Sequence, residues 1–209
     1  MPSTPLSPEA DRPKRLEGHR LFLLDFLRRP REVASVIPSS RFLERRIVRA
    51  AEVDVAKTVV ELGPGTGGTS RAFLRAMAPD TRLLCIEIND RFAEHLEREL
   101  DDPRVIVHRG DARDLRAILD TYELPSPDAV LSGIPFSTIP QEVGLGILRS
   151  VHEALVPGGR FVAYQVRDRV EVLGRTIFGP AEAVTEYRNV PPARVFTWRK
   201  ARNGCADAS

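Results

Sequence analysis

A glycine-rich segment directly after a short apolar run holds the first residues whose types and spacing could do chemistry. Residues 59–70 read Val-Val-Glu-Leu-Gly-Pro-Gly-Thr-Gly-Gly-Thr-Ser, so the acid Glu61 lies where the apolar run ends. Gly63, Gly65 and Gly67 can adopt positive φ, and without a Cβ they let the backbone approach a ligand. The hydroxyl pair that ends the segment can cap a helix. The pattern predicts a strand, a turn and a helix of the kind that binds nucleotides.

Glu61 indicates the charge of the ligand. The glycines also fit the Gly-x-Gly-x-x-Gly pattern of pyrophosphate-binding turns, but a carboxylate ~4 Å from a phosphate charge would repel it by ~4 kcal/mol at an effective dielectric constant of ~20. A cationic ligand suits the carboxylate better. S-Adenosylmethionine carries an ammonium and a sulfonium group, so we expect this cofactor rather than NAD. The alternative is a structural glycine turn beside a solvated carboxylate.

Two further acids follow predicted strands. Glu87 ends the apolar run Leu83–Ile86, at the distance from the glycine turn where an acid can accept hydrogen bonds from both hydroxyls of a nucleotide ribose. Asp111 follows the run Val105–Val107. It either accepts a hydrogen bond from an adenine amino group or caps the next helix, and the residue alone favours neither role.

Strands alternate with helices along most of the chain, which predicts an α/β fold with a doubly wound, mostly parallel sheet of seven strands. We expect Arg194–Arg199 to be a final antiparallel edge strand, and residues 170–189 to hold a helix or loop and one strand. Ligands of such sheets bind at the carboxyl ends of the strands. The candidates at these ends are Glu61, Gly63–Gly67, Glu87, Asp111 and Ser132–Phe136.

The composition predicts four segments. Residues 1–15 are rich in Pro and Ser and are expected to form a disordered tail. Residues 16–52 are expected to form an N-terminal helical extension, residues 53–200 the domain with the sheet, and residues 201–209 a second tail.

The amphipathic pattern of residues 16–29, which Pro30 ends, predicts a helix with Phe22 and Phe26 on its apolar face. This face either packs on the domain's own core or rests on a bilayer while arginines meet anionic headgroups, and both can hold.

A second predicted helix, roughly Phe42 to Ala50, follows two serines and an arginine. Ser39 and Ser40 can cap this helix. With Arg41, the helix N-terminus could also hold an anion such as a phosphate, which makes these three residues candidates for substrate binding.

The charge distribution argues against a nucleic-acid partner. The formal net charge is only +2, with +5 in residues 1–50 and −3 in the remainder. Two cysteines, Cys85 in an apolar strand and Cys205 in a polar tail, indicate neither a disulfide framework nor a metal site, so we expect a reducing compartment. The sequence shows no apolar run long enough to span a membrane and no signal-peptide pattern, so any membrane contact is expected from the cytosolic side.

Together these motifs resemble those of the class I S-adenosylmethionine-dependent methyltransferases, and the resemblance spans roughly residues 58–165. The resembling motifs are Glu61–Gly67, Glu87, Gly110–Ala112 and Leu155–Arg160. The resemblance implies a Rossmann-like methyltransferase fold in which the glycine turn holds the methionine part of the cofactor, Glu87 the ribose and Asp111 the adenine. Their neighbours Ile88, Ala112 and Ser132 complete the predicted cofactor site.

Two groups within this family compete. The ribosomal RNA adenine dimethyltransferases carry Asn-Leu/Ile-Pro-Tyr/Phe after strand four, where the Asn holds the amine to be methylated. This chain has Gly133-Ile-Pro-Phe136 there. Gly133 has no side chain with which to orient an amine.

The chain is more similar to the bacterial phospholipid N-methyltransferases that act on phosphatidylethanolamine. The similarity covers about residues 26–199 and includes Pro38–Arg41, Ser132–Pro135 and Pro191–Val195. It implies methylation of phosphatidylethanolamine or its partly methylated forms by a peripheral enzyme that contacts an anionic membrane through its N-terminal helix, without a metal.

The predicted catalytic residues are Pro135, Phe136 and Tyr164. The two aromatic rings could flank the amine and stabilise the methylated ammonium by cation–π contact, or they could pack in the core. The alternatives to lipid methylation are an adenine N6-methyltransferase acting on ribosomal RNA, a methyltransferase of small soluble amines, and a membrane-associated binding protein without turnover.

Overall fold

The computed structural model describes residues 39–202, which contain one seven-stranded sheet with helices on both faces. The strand order is β3-β2-β1-β4-β5-β7-β6, and β7 runs in the direction opposite to the other six strands. The strands are β1 Thr58–Leu62, β2 Arg82–Glu87, β3 Val105–Arg109, β4 Ala129–Ser132, β5 Arg160–Gln165, β6 Glu182–Glu186 and β7 Ala193–Arg199. The helices are α1 Arg41–Ala51, α2 Gly68–Ala76, α3 Asp90–Glu99, α4 Leu115–Thr121, α5 Gln141–Ala154 and α6 Arg169–Phe178, with a 3₁₀ turn at Ala112–Asp114.

The doubly wound, mostly parallel sheet of seven strands is confirmed, but one expected position is wrong. We predicted that Arg194–Arg199 would form an edge strand, whereas β7 is inserted between β5 and β6. Residues 170–189, where we expected a helix or loop and one strand, contain most of α6 and all of β6, and β6 forms the edge instead.

The centre of the sheet is apolar on both faces. Every residue of β1 is buried, and Val60 pairs with Leu84 of β2 and Val130 of β4. Burial on both faces is expected for parallel strands that helices cover on each side. This rigid centre fixes the carboxyl ends of β1, β2 and β4, where the predicted site residues lie.

Helix α1 packs on the core of the sheet. Leu43, Ile47 and Ala51 recur at helical spacing and are buried in the same cluster as strand residues such as Val59. We had assigned this helix to an N-terminal segment that ends at residue 52. In the structure it belongs to the same compact unit as the sheet, because its apolar face is part of the sheet's core.

Several predicted segments lie outside the described residues. They are the tail at 1–15, the amphipathic helix at 16–29 and most of the tail at 201–209, and they stay predictions. Among residues 39–202, no helix combines the length and the apolar character needed to cross a bilayer.

Candidate active site

The acid at the end of the first strand is buried beneath the glycine turn. Glu61 is 1% exposed, and its Oε2 accepts a 2.5 Å hydrogen bond from Ser70 Oγ of α2. Its Oε1 has no hydrogen-bond partner among the described residues. Burial raises the pKa of Glu61 from 4.5 to about 7, although hydrogen bonds from Ser70 and Thr69 oppose this effect.

The helix after the turn begins differently from the sequence prediction. We expected Thr69 or Ser70 to cap it, but α2 follows Gly67, which has a φ of 75° and offers no side-chain cap. The hydroxyl of Ser70 donates to Glu61 instead. The hydroxyl of Thr69 lies 3.1 Å from that of Tyr164 on β5. Both hydroxyls therefore organise the site rather than the helix end.

The glycine turn requires glycine for two different reasons. Gly63, Gly65 and Gly67 have φ angles of 66°, 58° and 75°, the left-handed region that L side chains rarely adopt. A Cβ on Gly63 would lie 2.9 Å from Ile134 Cγ1, so the turn is packed closely against the segment after β4. A Cβ on Gly65 would meet no atom within 4 Å, so this residue faces open space.

Glu87 connects the end of β2 to the glycine turn. One carboxylate oxygen accepts a 3.0 Å hydrogen bond from the backbone N–H of Gly65, and the other accepts a 2.9 Å bond from that of Asn89. Burial raises the pKa of Glu87, while the hydrogen bonds from Asn89 and Gly65 oppose the rise. Asn89 also caps α3, because its side chain accepts hydrogen bonds from the backbone N–H groups of Arg91 and Phe92.

Asp111 caps the 3₁₀ turn, one of the two roles that the sequence left open. It accepts a 2.9 Å hydrogen bond from the Arg113 backbone N–H, and the Arg113 guanidinium contacts both of its oxygens, at 2.7 Å for the Nη2–Oδ2 pair. This ion pair orients the carboxylate and holds Ala112 in the 3₁₀ turn. Contact of Asp111 with an adenine stays a prediction.

A pocket lies next to the glycine turn, at the carboxyl ends of β4 and β5. Its lining includes Ser39, Gly133, Pro135, Tyr164, Gln165 and Asn189. A Cβ on Gly133 would lie 2.7 Å from the Tyr164 hydroxyl and 2.8 Å from the carbonyl oxygen of Gly63. Only the backbone of Gly133 therefore lies between the pocket and the glycine turn at this point.

The structure brings only some predicted catalytic and substrate residues to this pocket. Pro135 and Tyr164 line it, whereas Phe136 is fully buried and packs beside Gly144 of α5, which agrees with core packing. Ser40 caps α1 by accepting a 3.3 Å hydrogen bond from Leu43 N.

The other predicted residues lie around the pocket or beneath it. Arg41 is exposed at the start of α1. Ser132 is buried, and its hydroxyl accepts a 3.2 Å hydrogen bond from the backbone N–H of Ile134, which shapes the pocket wall. Ile88 follows Glu87 and is half-buried.

Two polar residues of the pocket were missed by sequence reasoning. Asn189 is 2% exposed and accepts a 2.9 Å hydrogen bond from Ser40 N, which connects the β6–β7 loop to the start of α1. Gln165 Nε2 donates a 2.6 Å hydrogen bond to the carbonyl of Ile134. The end position of Gln165 on a predicted strand could have indicated it, but no local signal distinguishes a buried Asn in a loop.

A second, larger cavity does not contain the predicted residues. It has a volume of about 510 Å³ and lies between α1 and the β6–β7 edge, with Arg45, Arg46 and Arg49 among its lining residues. None of the predicted cofactor residues Glu61, Glu87 and Asp111 lines it, whereas the pocket at the carboxyl ends includes the predicted residues Pro135 and Tyr164.

Comparisons with known proteins assign the family. A methyltransferase-domain model matches residues 59–159, the part of the chain that carries the glycine turn and its acids. An ornithine lipid N-methyltransferase of Singulisphaera acidiphila is 35% identical over 183 residues, which cover 86% of this chain and 94% of that protein. The chain belongs to the class I S-adenosylmethionine-dependent methyltransferases.

Two further similarities agree with this family. A ribosomal RNA small subunit methyltransferase A of Nocardia farcinica is 34% identical over 164 residues, covering 75% of this methyltransferase and 51% of that protein. The structure of the O-methyltransferase TomG from Streptomyces achromogenes in complex with S-adenosylmethionine superposes with a TM-score of 0.61 at 17% identity, with 88% and 90% of the two chains covered. The latter similarity supports the fold alone.

The site of this methyltransferase suits S-adenosylmethionine, its cofactor. The unpartnered Glu61 Oε1 can accept a hydrogen bond from the ammonium of the methionine part, and the open space at Gly65 leaves room for a ligand above the turn. Glu87 would hold the ribose hydroxyls and the Asp111 region the adenine. The cofactor supplies an electrophilic methyl group on a sulfonium. No group of three or more His, Cys, Asp or Glu side chains is placed to hold a metal within residues 39–202.

Proposed function

We propose that this methyltransferase methylates the amine of a membrane lipid, with phosphatidylethanolamine or a lipid whose headgroup is an amino acid as its substrate. One observation carries the proposal. The similarity to an ornithine lipid N-methyltransferase extends over 94% of that protein, whereas the ribosomal RNA methyltransferase is covered over only 51% of its length. Both lipid classes present a primary amine beside a bilayer surface.

The packing around Gly133 supports a substrate other than adenine. In the adenine dimethyltransferases that this chain resembles, an Asn at the corresponding position holds the target amine. Here an added Cβ alone would lie under 3 Å from the Tyr164 hydroxyl and the Gly63 carbonyl oxygen, at 2.7 and 2.8 Å. The position has no room for an Asn side chain in the present geometry, so the amine must be oriented by other groups.

Tyr164 is a polar group of the pocket in position to orient the amine, whereas both polar atoms of the Asn189 amide already have partners, Ser40 N and the Pro191 carbonyl. Burial raises the pKa of Tyr164, so its hydroxyl stays neutral and can accept or donate a hydrogen bond. Its ring can also stabilise a methylated ammonium by cation–π contact. The amine would release a proton to solvent, and its lone pair would then accept the methyl group that the sulfonium of the cofactor supplies. The residues contribute by positioning and by excluding water.

We further propose that the enzyme acts as a peripheral protein at the cytoplasmic face of a membrane. The predicted amphipathic helix at residues 16–29 would contribute to this association. Both the location and the role of the helix rest on the sequence pattern and on the lipid substrate proposed above.

Methyl transfer from labelled cofactor to a panel of acceptors tests the proposal. The panel contains vesicles with phosphatidylethanolamine, vesicles with ornithine lipid, small-subunit ribosomal RNA, and free ethanolamine and ornithine. We expect label in one or both lipids, with Glu87→Gln, which should bind the cofactor more weakly, as a low-activity control at limiting cofactor. Label in RNA but in neither lipid would overturn the proposal. Equal rates with free and lipid-borne amines would instead assign a small-amine substrate.

A further inference from the structure

Two loops that border the active-site pocket expose apolar side chains. The β5–α6 turn exposes Val166, 45% accessible, and the β6–β7 loop exposes Tyr187 and Val190, 78% and 87% accessible. Val166 also lines the pocket, and Asn189 lines it from the β6–β7 loop. Half of the large hydrophobic side chains that residues 39–202 expose therefore lie in these two loops.

Arginines accompany these apolar residues. Arg167 and Arg188 are exposed beside them, and the guanidinium of Arg188 lies 4.1 Å from the centre of the Phe42 ring. Arg41 lies over the same ring, at 4.9 Å. Glu186 contacts both Arg188 and Arg46, and Asp168 contacts Arg194. Together with Arg41 and Arg167, the arginines of this set number five against two acids, so the formal charge of the set is positive.

The buried side chain of Asn189 holds the β6–β7 loop in place. Asn189 is buried between the exposed Arg188 and Val190, and it accepts a hydrogen bond from Ser40 N while donating a 2.9 Å bond to the carbonyl of Pro191. These bonds fix the loop so that Tyr187 and Val190 project outward. Exposed apolar residues ringed by arginines match a bilayer interface, where Tyr lies at the headgroup level and arginines bind lipid phosphates.

We propose that the exposed apolar residues and arginines around the pocket mouth form a docking rim, which binds the surface of a bilayer that contains anionic phospholipids. The docking rim consists of Arg41, Val166, Arg167, Tyr187, Arg188 and Val190. It deepens the proposed function and rests on it, because a pocket that takes a lipid amine must open at the headgroup level. An RNA partner would use the arginines but would leave the exposed valines unexplained, so a membrane matches the rim better.

Vesicle co-sedimentation of the full chain tests the docking rim. The rim variants are the double variant Tyr187→Ser with Val190→Ser, and Arg188→Gln. The matched controls are Val55→Ser, which is 71% exposed in the α1–β1 connection, and Arg82→Gln, which is exposed at the amino end of β2. Both controls lie near the amino ends of β1 and β2, away from the rim, and they also replace an exposed valine with serine or an exposed arginine with glutamine. The vesicles contain phosphatidylglycerol with phosphatidylcholine, or phosphatidylcholine alone, and no amino lipid.

We expect the apolar double variant to bind both kinds of vesicle about ten-fold more weakly. Arg188→Gln should bind phosphatidylglycerol vesicles about five-fold more weakly and show no change on phosphatidylcholine alone. Both controls should bind as the unmodified chain does. Calorimetry with the cofactor establishes that each variant is folded.

Three results would overturn the docking rim. They are unchanged vesicle binding by both rim variants, equal weakening by the rim variants and the controls, and weakened binding to ribosomal RNA with unchanged vesicle binding. The vesicles carry no amino lipid, and the experiment measures binding and not methyl transfer. A negative result for the docking rim would therefore not contradict the proposed lipid substrate. Failure of the proposed function would instead show in methyl transfer to detergent-dispersed lipid, which needs no docking.

Discussion

Replacing Glu61 with glutamine should separate the stability of the ligand-free protein from cofactor binding. The Glu61 carboxylate is buried, one oxygen accepts a hydrogen bond from Ser70, and the other has no partner among the described residues. Burial is the main cause of the rise in its pKa from 4.5 to about 7, and the charge of Glu87 adds to it. Glutamine keeps the shape and can still accept from Ser70, so the change removes little besides the charge.

The effect on stability follows from the direction of this pKa change. Because the folded state holds the proton of Glu61 more tightly than the unfolded chain does, the stability of the ligand-free protein falls as the pH rises from 4.5 to about 7 and then levels off. At about 1.36 kcal/mol per pH unit, the loss amounts to about 3 kcal/mol. Glu61→Gln should therefore be more stable than the unmodified protein at pH 8 by up to ~3 kcal/mol, equivalent to about 6–12 °C in Tm for a domain of this size. Near pH 4.5 the two should match.

Cofactor binding should change in the opposite direction. The ionised Glu61 can pair with the ammonium of S-adenosylmethionine, and a neutral glutamine loses this charge-assisted hydrogen bond. We expect the affinity of the variant to fall by about 100-fold at pH 8. In the unmodified protein, the affinity should fall about ten-fold for each pH unit below about 7, because binding then requires loss of the Glu61 proton.

Thermal unfolding and titration calorimetry at several pH values measure both effects. Glu99→Gln, at the exposed end of α3, is a matched control that should change neither quantity. A Glu61→Gln protein that is less stable than the unmodified protein at pH 8 would refute the desolvation of the carboxylate. Unchanged affinity for the cofactor would refute the contact of Glu61 with its cationic end.

Two further substitutions test other parts of the site. Glu87→Gln should weaken S-adenosylmethionine binding about 100-fold by calorimetry. A carboxylate can accept hydrogen bonds from the Gly65 N–H, the neighbouring backbone N–H and the ribose together, whereas an amide cannot. Normal binding by the variant would show that the ribose site is not at Glu87. Gly133→Asn should lower the free energy of unfolding in urea by at least about 2 kcal/mol through its contacts with Tyr164 and Gly63, and it should not confer methylation of ribosomal RNA. A stable variant that methylates RNA would contradict the packing argument and favour the adenine-methylating alternative.

The strands and the acids of the cofactor site were accessible from the sequence because their signals are local. A buried parallel strand is a short apolar run, and Glu61 and Glu87 follow such runs directly. The positive φ angles at Gly63, Gly65 and Gly67 reflect a requirement that few other residues can meet. These patterns were sufficient to place the cofactor site at the carboxyl ends of the strands.

Partners that are distant in sequence could not be read from local patterns. Ser70 and Thr69 are residue types that often cap helices, but in the folded chain their hydroxyls contact Glu61 and Tyr164. Phe136 was a candidate to flank the amine, and only the packing of α5 beneath it shows that its ring is buried. A side chain near the right strand can face either the pocket or the core, and its neighbours decide which.

The methyl-acceptor pocket depends most on the tertiary structure. The sequence determined the sheet and the glycine turn through hydrophobic pattern and glycine spacing. Insertion of β7 between β5 and β6 brings the β6–β7 loop, with Asn189, beside Gly133 and Tyr164. The hydrogen bond between Asn189 and Ser40 spans 149 residues of sequence. No local propensity encodes such a contact, since it forms only when α1 and the far edge of the sheet pack on the same core.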